Sequence, residues 1–405
     1  MYEPFRSQIP AEPTFAAARG RSGVAAYASW QRSMDNVVSQ VLADATSAPD
    51  VVIMFVAREY ADSSRELVSR ARELTKAGTL VGCFGSGCIG SGREFERTPG
   101  LSMLALWLPS TDVWAIHIDQ AALQNADSGV EADLANVDAD AWIVLSEPYR
   151  LDVSQLVEVL GRTKPGVPVI GGMASSIDRN HQTELFIDGD IYQDGAIALA
   201  LRGGVDLVPI VSQACEPIGQ PWTVTDVDRT SVLTISGRPA IDVMIETVAA
   251  LPADQQRRAK RHLLVGFAGD EYRDEFHRGD FLIRGVLGVD HKRAAIIVAD
   301  RPRVGQTIQF QMRDAVTADI DLHQHLLETR AQLQGRRPIA GIIASCTGRG
   351  SGLFGKPDHD ASALQAAFGG LPMAGFSSVG EIGPIGNRIG LHSFAASIAL
   401  LVERN

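Results

Sequence analysis

Ala344-Ser345-Cys346-Thr347-Gly348-Arg349-Gly350 and Gly375-Phe376-Ser377-Ser378-Val379-Gly380-Glu381-Ile382-Gly383 are two polar, glycine-rich segments late in the chain. Each is fed by an apolar run, residues 339–344 and 371–376. Uninterrupted apolar runs of this length, bounded by small and polar residues, predict buried strands. Two such strand ends side by side form a cleft holding a thiol, a guanidinium, hydroxyls and a carboxylate. That is the chemistry of a binding site.

Working outward, a helix over about 361–368 separates the two runs, and strand–helix–strand implies a parallel pair. The same grammar occurs twice more: strands 51–56 and 79–84 around a helix at 63–76, and strands 142–145 and 168–172 around a helix at 153–162. The comparable joints are Gly82, Gly171 and Gly375, each near the end of the second strand. Glycine at such a joint signals positive φ or a close backbone approach. Each joint leads through a turn to further strands. In the second copy, residues 185–187 and 190–192 flank an Asp-Gly pair, a strong hairpin signal. The sheets are therefore expected to be mixed.

Between the second and third copies the texture is β-rich. Strands are expected at 222–225, 232–235, 262–267, 281–289, 294–299 and 307–312, with helices at about 240–260 and 318–333. At the other end, residues 1–21 read as a loosely ordered arm and 24–45 as a helix stopped by Pro49-Asp50. The turn-rich stretch at 203–221 is the best boundary, giving an arm at 1–21 and domains at 22–210 and 211–405. The expected class is α/β (α+β): two related halves with mixed parallel and antiparallel sheets, built from strand–helix–strand–hairpin units.

Composition narrows the function classes. At 405 residues the chain is long for one ordinary core. With 45% hydrophobic and 21% charged residues it reads as a soluble globular protein. It shows no membrane-length apolar run and no signal-peptide core. Four irregularly spaced cysteines suggest a reducing cytoplasm, and a net charge of −11 argues against nucleic-acid or membrane partners. The basic run Arg257 to His262 reads as a solvated helix terminus.

Gly85-Ser86-Gly87-Cys88-Ile89-Gly90 matches the dinucleotide pattern G-x-G-x-x-G but does not open an apolar-striped helix, so it reads as a turn. Residues 350–355 match the same pattern without the acidic residue that would hold a ribose. Cys83 and Cys88 lack the further ligands that a structural zinc needs, and no metal is expected. Cys346 is different, because Arg349 follows three residues later and a nearby guanidinium lowers a thiol pKa. With His392 and Glu381 it would make a Cys–His–Glu hydrolase or transferase, if the three converge. Arg349, Arg313 and Arg284 each lie near a strand end and suit bidentate carboxylate recognition. His291 and His392 are the lone histidines considered for a metal or haem.

These motifs resemble the FIST-domain family. The 375–383 and 345–350 segments carry the resemblance, with Arg284 to Asp290 and Val304 to Asp314 similar to the first half of a FIST C-terminal domain. Residues 50–55, 80–83 and 194–199 resemble the N-terminal FIST domain more loosely. The resemblance implies FIST N-terminal-like and C-terminal-like domains at 22–210 and 211–405, and an intracellular sensor of small ligands, with amino acids suggested. Some members bind haem, so haem stands as an alternative to the expected absence of a cofactor. No output domain is visible, which implies signalling through a separate protein or a role as an interaction scaffold. The expectation is a cytoplasmic, non-enzymatic module. It binds a small, amino-acid-like ligand through Cys346, Arg349, Ser377, Ser378 and Glu381, with Arg284 and Arg313 in support. Glu381 is expected to pair an amine and an arginine a carboxylate.

Overall fold

A computed structural model describes residues 17–124, 130–176 and 183–404. Each of the three strand–helix–strand units forms a parallel pair. Val51–Ala57 lies beside Thr79–Gly85, Ala141–Ser146 beside Val169–Ala174, and Pro338–Cys346 beside Met373–Ile385. The first pair belongs to a six-stranded sheet in the order Arg19–Ala25, Leu101–Trp107, Val51–Ala57, Thr79–Gly85, Leu185–Ile187, Asp190–Tyr192. The second and third pairs share an eleven-stranded sheet, joined where Met373–Ile385 runs antiparallel to Val169–Ala174. The expected division at 210/211 falls inside the strand Val205–Gln213, which pairs with Ala395–Glu403 in that sheet.

The two sheets pack face to face, and the pleat explains how. Val51, Ile53 and Phe55 point into a core shared with Ile143, Leu145, Ile342, Ala344 and Phe376. The alternate residues Val52, Met54 and Val56 point outward, under the helices Trp30–Val41 and Ser64–Thr75. Phe55 stacks on Phe376 with ring centroids 4.9 Å apart, tying the first unit to the third. The far face of the large sheet is covered by Val153–Thr163 at one end and by Ala315–Gln332 and His359–Phe368 at the other. Both faces of the central strands are therefore buried, which is why they read as continuous apolar runs.

The β-rich segment forms a third body. Cys215–Asp228, Thr307–Arg313, Leu263–Ala268, Phe281–Asp290, Ala295–Val298 and Ser231–Ile235 pair in that order, and the last returns to the first, closing a barrel. Val224, Val232, Phe267, Phe310 and Ile296 share its core.

Several expectations need correction. Residues 1–16 of the expected arm lie outside the described residues. Its end begins a strand, Arg19–Ala25, antiparallel to Leu101–Trp107, so the first helix starts at Trp30 with Ser29 as its cap. The single helix expected at 240–260 is two, Ala240–Ala249 and Ala253–His262. Pro252 cannot continue the first helix but is pre-shaped to start the second. The turn after Gly85 is a hairpin, Gly87–Gly90 against Arg93–Glu96.

Candidate functional site

The strand Pro338–Cys346 delivers Cys346 to its end, opposite Ser378 in the neighbouring strand. A tight turn follows, with Thr347 N–H donating to Ser378 O and Arg349 N–H to Cys346 O. This folds Arg349 back under the strand ends. There Arg349 donates from Nε to Asp360 Oδ2 (2.7 Å) and from Nη2 to Asp360 Oδ1 (2.8 Å), with both side chains fully shielded from solvent. Burial works against the Arg349 charge, but Asp360 outweighs it and its pKa stays above the ordinary value. Burial likewise opposes the Asp360 carboxylate, yet Arg349 and His359 hold it well below the usual range. Asp360 Oδ2 also accepts from Ser345 Oγ at 2.8 Å. The ring of His359 lies between Asp360 Oδ1 (2.9 Å) and Asp319 Oδ1 (2.7 Å) and stacks on Phe354.

Above this network is a cavity of about 420 Å³. Its second-half lining includes Ser345, Cys346, Arg349, Ser377 and Arg313, whose Nη1 donates to Gly348 O at 3.2 Å. Its first-half lining includes Ser86, Glu94, Glu96 and Arg97. Glu94 and Glu96 arrive on the hairpin 87–96, with Ser86 and Arg97 flanking it, and its inner strand pairs Gly90, Ile89 and Cys88 with Ala374, Gly375 and Phe376. Glycine at 87 is needed for this approach: a Cβ there would stand 2.7 Å from Ser377 Oγ and 2.5 Å from Phe95 O. The G-x-G-x-x-G run thus serves close packing between the halves and opens a strand, not a phosphate-binding helix. On the outer strand, Glu96 accepts from Ser351 N (2.7 Å) and Ser351 Oγ (2.9 Å), and Glu94 accepts from Ala361 N (2.9 Å).

Of the residues expected to bind ligand, Cys346, Arg349, Ser377 and Arg313 come together around this cavity. Ser378 and Glu381 do not line it. They are fully buried beside Cys346, where Glu381 accepts hydrogen bonds from Ser378 Oγ, Ala395 N and the Cys346 thiol. Burial pushes the Glu381 carboxyl up to about 7. Arg284 lies elsewhere, in the barrel, bonded to Asp300, Ile283 O and Leu391 O. His392 is opposite Glu381 in the strand register, but its ring lies near Gln213, Gly383 O and Pro384 O. Burial, helped by Arg284, lowers its pKa to about 4. The Cys346 thiol is itself pushed well above its ordinary value by burial, with Glu381 adding to the effect. The Cys–His–Glu relay is therefore not assembled: the thiol meets Glu381 directly and His392 faces away.

Among the described residues, no group of three or more His, Cys, Asp and Glu is arranged to hold a metal. A haem does not fit this cavity. Its lining is mostly polar and contains no histidine, and Cys346, its one residue of an axial-ligand type, is held protonated. A larger depression of about 970 Å³ lies between the helix Val153–Thr163 and the barrel. Its Arg162, Arg388 and Glu271 are already bonded to Glu131, Gly269 O and Thr307 N. The smaller cavity is the better site, because one of its buried donors is unspent. Arg349 Nη1 has no hydrogen-bond partner among the described residues.

Sequence reading missed Glu94, Glu96 and Asp360. For Asp360 a signal existed, an acidic residue in the first turn of a helix. Nothing local marks the two glutamates as neighbours of residues over 250 positions away.

Residues 50–238 match the FIST N domain and residues 240–384 the FIST C domain. An uncharacterized protein of Mycobacterium tuberculosis strain CDC 1551 / Oshkosh is 34% identical over 360 residues, covering 89% of this chain and 93% of its own length. An uncharacterized protein of Mycobacterium bovis strain AF2122/97 is 34% identical over 362 residues, covering 89% and 92%. Among solved structures, a cyanuric acid hydrolase from A. caulinodans aligns over 96% of this chain and 100% of its own, at 9% identity and a TM-score of 0.35. That likeness is too distant to bear on activity. Among the described residues, no helix is long and apolar enough to cross a membrane.

Proposed function

The chain belongs to the FIST family, whose domains are sensory and bind small ligands, and from that premise we propose that it senses a small amino-acid-like molecule in the 420 Å³ cavity. The observation that carries this reading is the unpartnered Arg349 Nη1. A buried donor without a partner costs about 1–3 kcal/mol, and a ligand carboxylate would relieve that cost. Arg313, half-buried at the same cavity, adds a second guanidinium. The ligand is small and polar, since the lining offers hydroxyls and charges in place of apolar walls. Binding joins the two halves of the chain, and the signal passes to a separate protein in the cytoplasm. The role in this reading is non-catalytic, and what supports it is that Cys346, the thiol at the cavity, is raised well above its ordinary pKa by burial and hydrogen-bonded to the Glu381 carboxyl group.

Thermal-shift and calorimetric titrations with the twenty L-amino acids test this reading. An amino acid at a hundred times its Kd should stabilise the protein by about 2.7 kcal/mol. Arg349→Lys and Arg313→Gln should each weaken binding about tenfold, roughly 1.4 kcal/mol. If no amino acid raises the melting temperature, or neither variant changes the affinity of one that does, the reading is wrong.

A further inference from the structure

Glu381, the carboxylate expected to meet an amine, is walled off from the cavity, and this leaves the cationic end of an amino acid without a partner. The hairpin 87–96 supplies one. Glu94 lines the cavity. Its backbone N–H is fixed by Asp358 Oδ1 at 2.7 Å, and its Oε1 is held by the N–H of Ala361 at 2.9 Å. Among the described residues no side-chain cation pairs with it. Arg93, next in sequence, goes to Asp358 at 3.1 Å, and Arg349 is taken up by Asp360. Burial and the carboxylates of Asp360, from the helix His359–Phe368, and Glu96, from its own strand, act against the Glu94 charge, while the backbone N–H groups of Ala361 and Asp360 favour it. Glu96 is a poorer candidate, because both of its oxygens are engaged by Ser351.

We propose that Glu94 is the ammonium-binding group of the cavity, so that the ligand is a zwitterion held between Glu94 of the first half and Arg349 of the second. This deepens the sensor reading and rests on it. A partly buried carboxylate in acidic company, lacking a cation, shares one cavity with a buried guanidinium that has an unused N–H. A free α-amino acid carries both complementary charges within one small molecule. Its capture couples the first-half hairpin to the second-half turn at 347–350, which gives occupancy a structural readout across the halves.

Binding at Glu94 also carries a proton signature. Burial and Asp360 push the Glu94 carboxyl up to about 7. An ammonium placed beside it favours the ionised form, so binding near neutral pH should release protons. The test takes an L-amino acid that raises the melting temperature and titrates it calorimetrically at pH 7 in buffers of differing ionisation enthalpy. The same titration is repeated with its N-acetyl and α-carboxamide derivatives. Wild type should release a fraction of a proton per amino acid bound, and N-acetylation should weaken binding at least tenfold. Glu94→Gln, which keeps an oxygen for the Ala361 N–H, should lose the proton release and bind at least tenfold more weakly, in a protein at least as stable as wild type at pH 7.

Should the N-acetyl derivative bind as tightly as the free amino acid, Glu94 is not the ammonium site, while the sensor reading survives. Unchanged affinity and proton release in Glu94→Gln would overturn the proposal in the same way. If no amino acid binds wild type at all, the sensor reading and this proposal fail together.

Discussion

Arg349 and Asp360 form a two-pronged ion pair, 2.7 and 2.8 Å long, from which water is wholly excluded. Breaking such a pair from one side leaves a buried charge uncompensated, which costs more than the intact pair contributes. Asp360→Ala should therefore destabilise the chain by about 3–5 kcal/mol. Replacing both partners, as in Arg349→Met with Asp360→Leu, should cost less than Asp360→Ala alone. Urea denaturation measures both. An Asp360→Ala variant as stable as wild type would show that the guanidinium finds other partners and that the pair does not fix the cavity floor.

Glu381 and His392 make opposite demands on pH. Burial raises the Glu381 carboxyl from 4.5 to about 7, so the folded chain holds this proton more tightly than the unfolded one. Its contribution is complete below about 4.5 and is lost as pH rises toward 7. Burial lowers the His392 pKa from 6.5 to about 4, so the folded chain refuses a proton that the unfolded one accepts. That contribution is present above 6.5 and is lost as pH falls toward 4. Glu381→Gln removes the first effect alone. Relative to wild type, the variant should gain stability by about 3 kcal/mol between pH 4.5 and pH 8, as the shift implies. A difference between the two proteins that stays constant across this range would mean that Glu381 ionises freely in the fold.

The two strand ends that meet at the cavity were legible in the sequence, because a buried parallel strand is written as an apolar run with its polar residues gathered at the tip. Cys346, Arg349 and Ser377 are found there. Ser378 and Glu381 were misplaced for a related reason. Met373–Ile385 is thirteen residues long, far longer than its apolar run, and it continues buried past its polar stretch. Polar residues that look like a loop are in fact inside a sheet, satisfied by one another. The hairpin 87–96 was illegible for want of alternation. Glycine stands at both ends of its inner strand because a Cβ would lie 2.5 Å from Phe95 O and 2.7 Å from Ser377 Oγ at Gly87, and 2.5 Å from Ser102 Oγ at Gly90, neighbours that only the folded chain brings together. The closure of the barrel was likewise invisible, since it depends on the pairing of Cys215–Asp228 with both Thr307–Arg313 and Ser231–Ile235.

The three glycine joints lie within their strands and not near the ends where they were expected, yet the close backbone approach they signal is present and makes a sharp prediction. Gly82, Gly171 and Gly375 lie opposite Met54, Val144 and Ile343 in their parallel pairs. An added Cβ would stand 1.8, 1.8 and 2.2 Å from the carbonyl oxygens of those partners. The obstacle is backbone, so no side-chain rotation relieves it. Each Gly→Ala substitution should cost at least about 1–3 kcal/mol, the usual range for overpacking. Gly288→Ala, where a Cβ meets nothing within 4 Å, serves as the control. Melting curves of the four variants decide the point: if Gly375→Ala melts with the control, the joint is not a close approach.

Cys346 separates a sensor from an enzyme. A nucleophilic cysteine must be a thiolate, and its usual causes are an adjacent cation and some exposure. Arg349 is nearby but is neutralised by Asp360, while burial and Glu381 both raise the thiol's pKa. Cys83, Cys88 and Cys215 are buried as well, and burial pushes Cys215 up to about 12. Folded protein at pH 7.5 should therefore react with iodoacetamide at Cys346 more slowly than glutathione does, by tenfold or more, and guanidinium should bring all four thiols to the free rate. Peptide mapping by mass spectrometry assigns the label. Modification of Cys346 faster than glutathione, saturating with reagent concentration, would mean that the thiol is activated, and the hydrolase or transferase reading would displace the sensor.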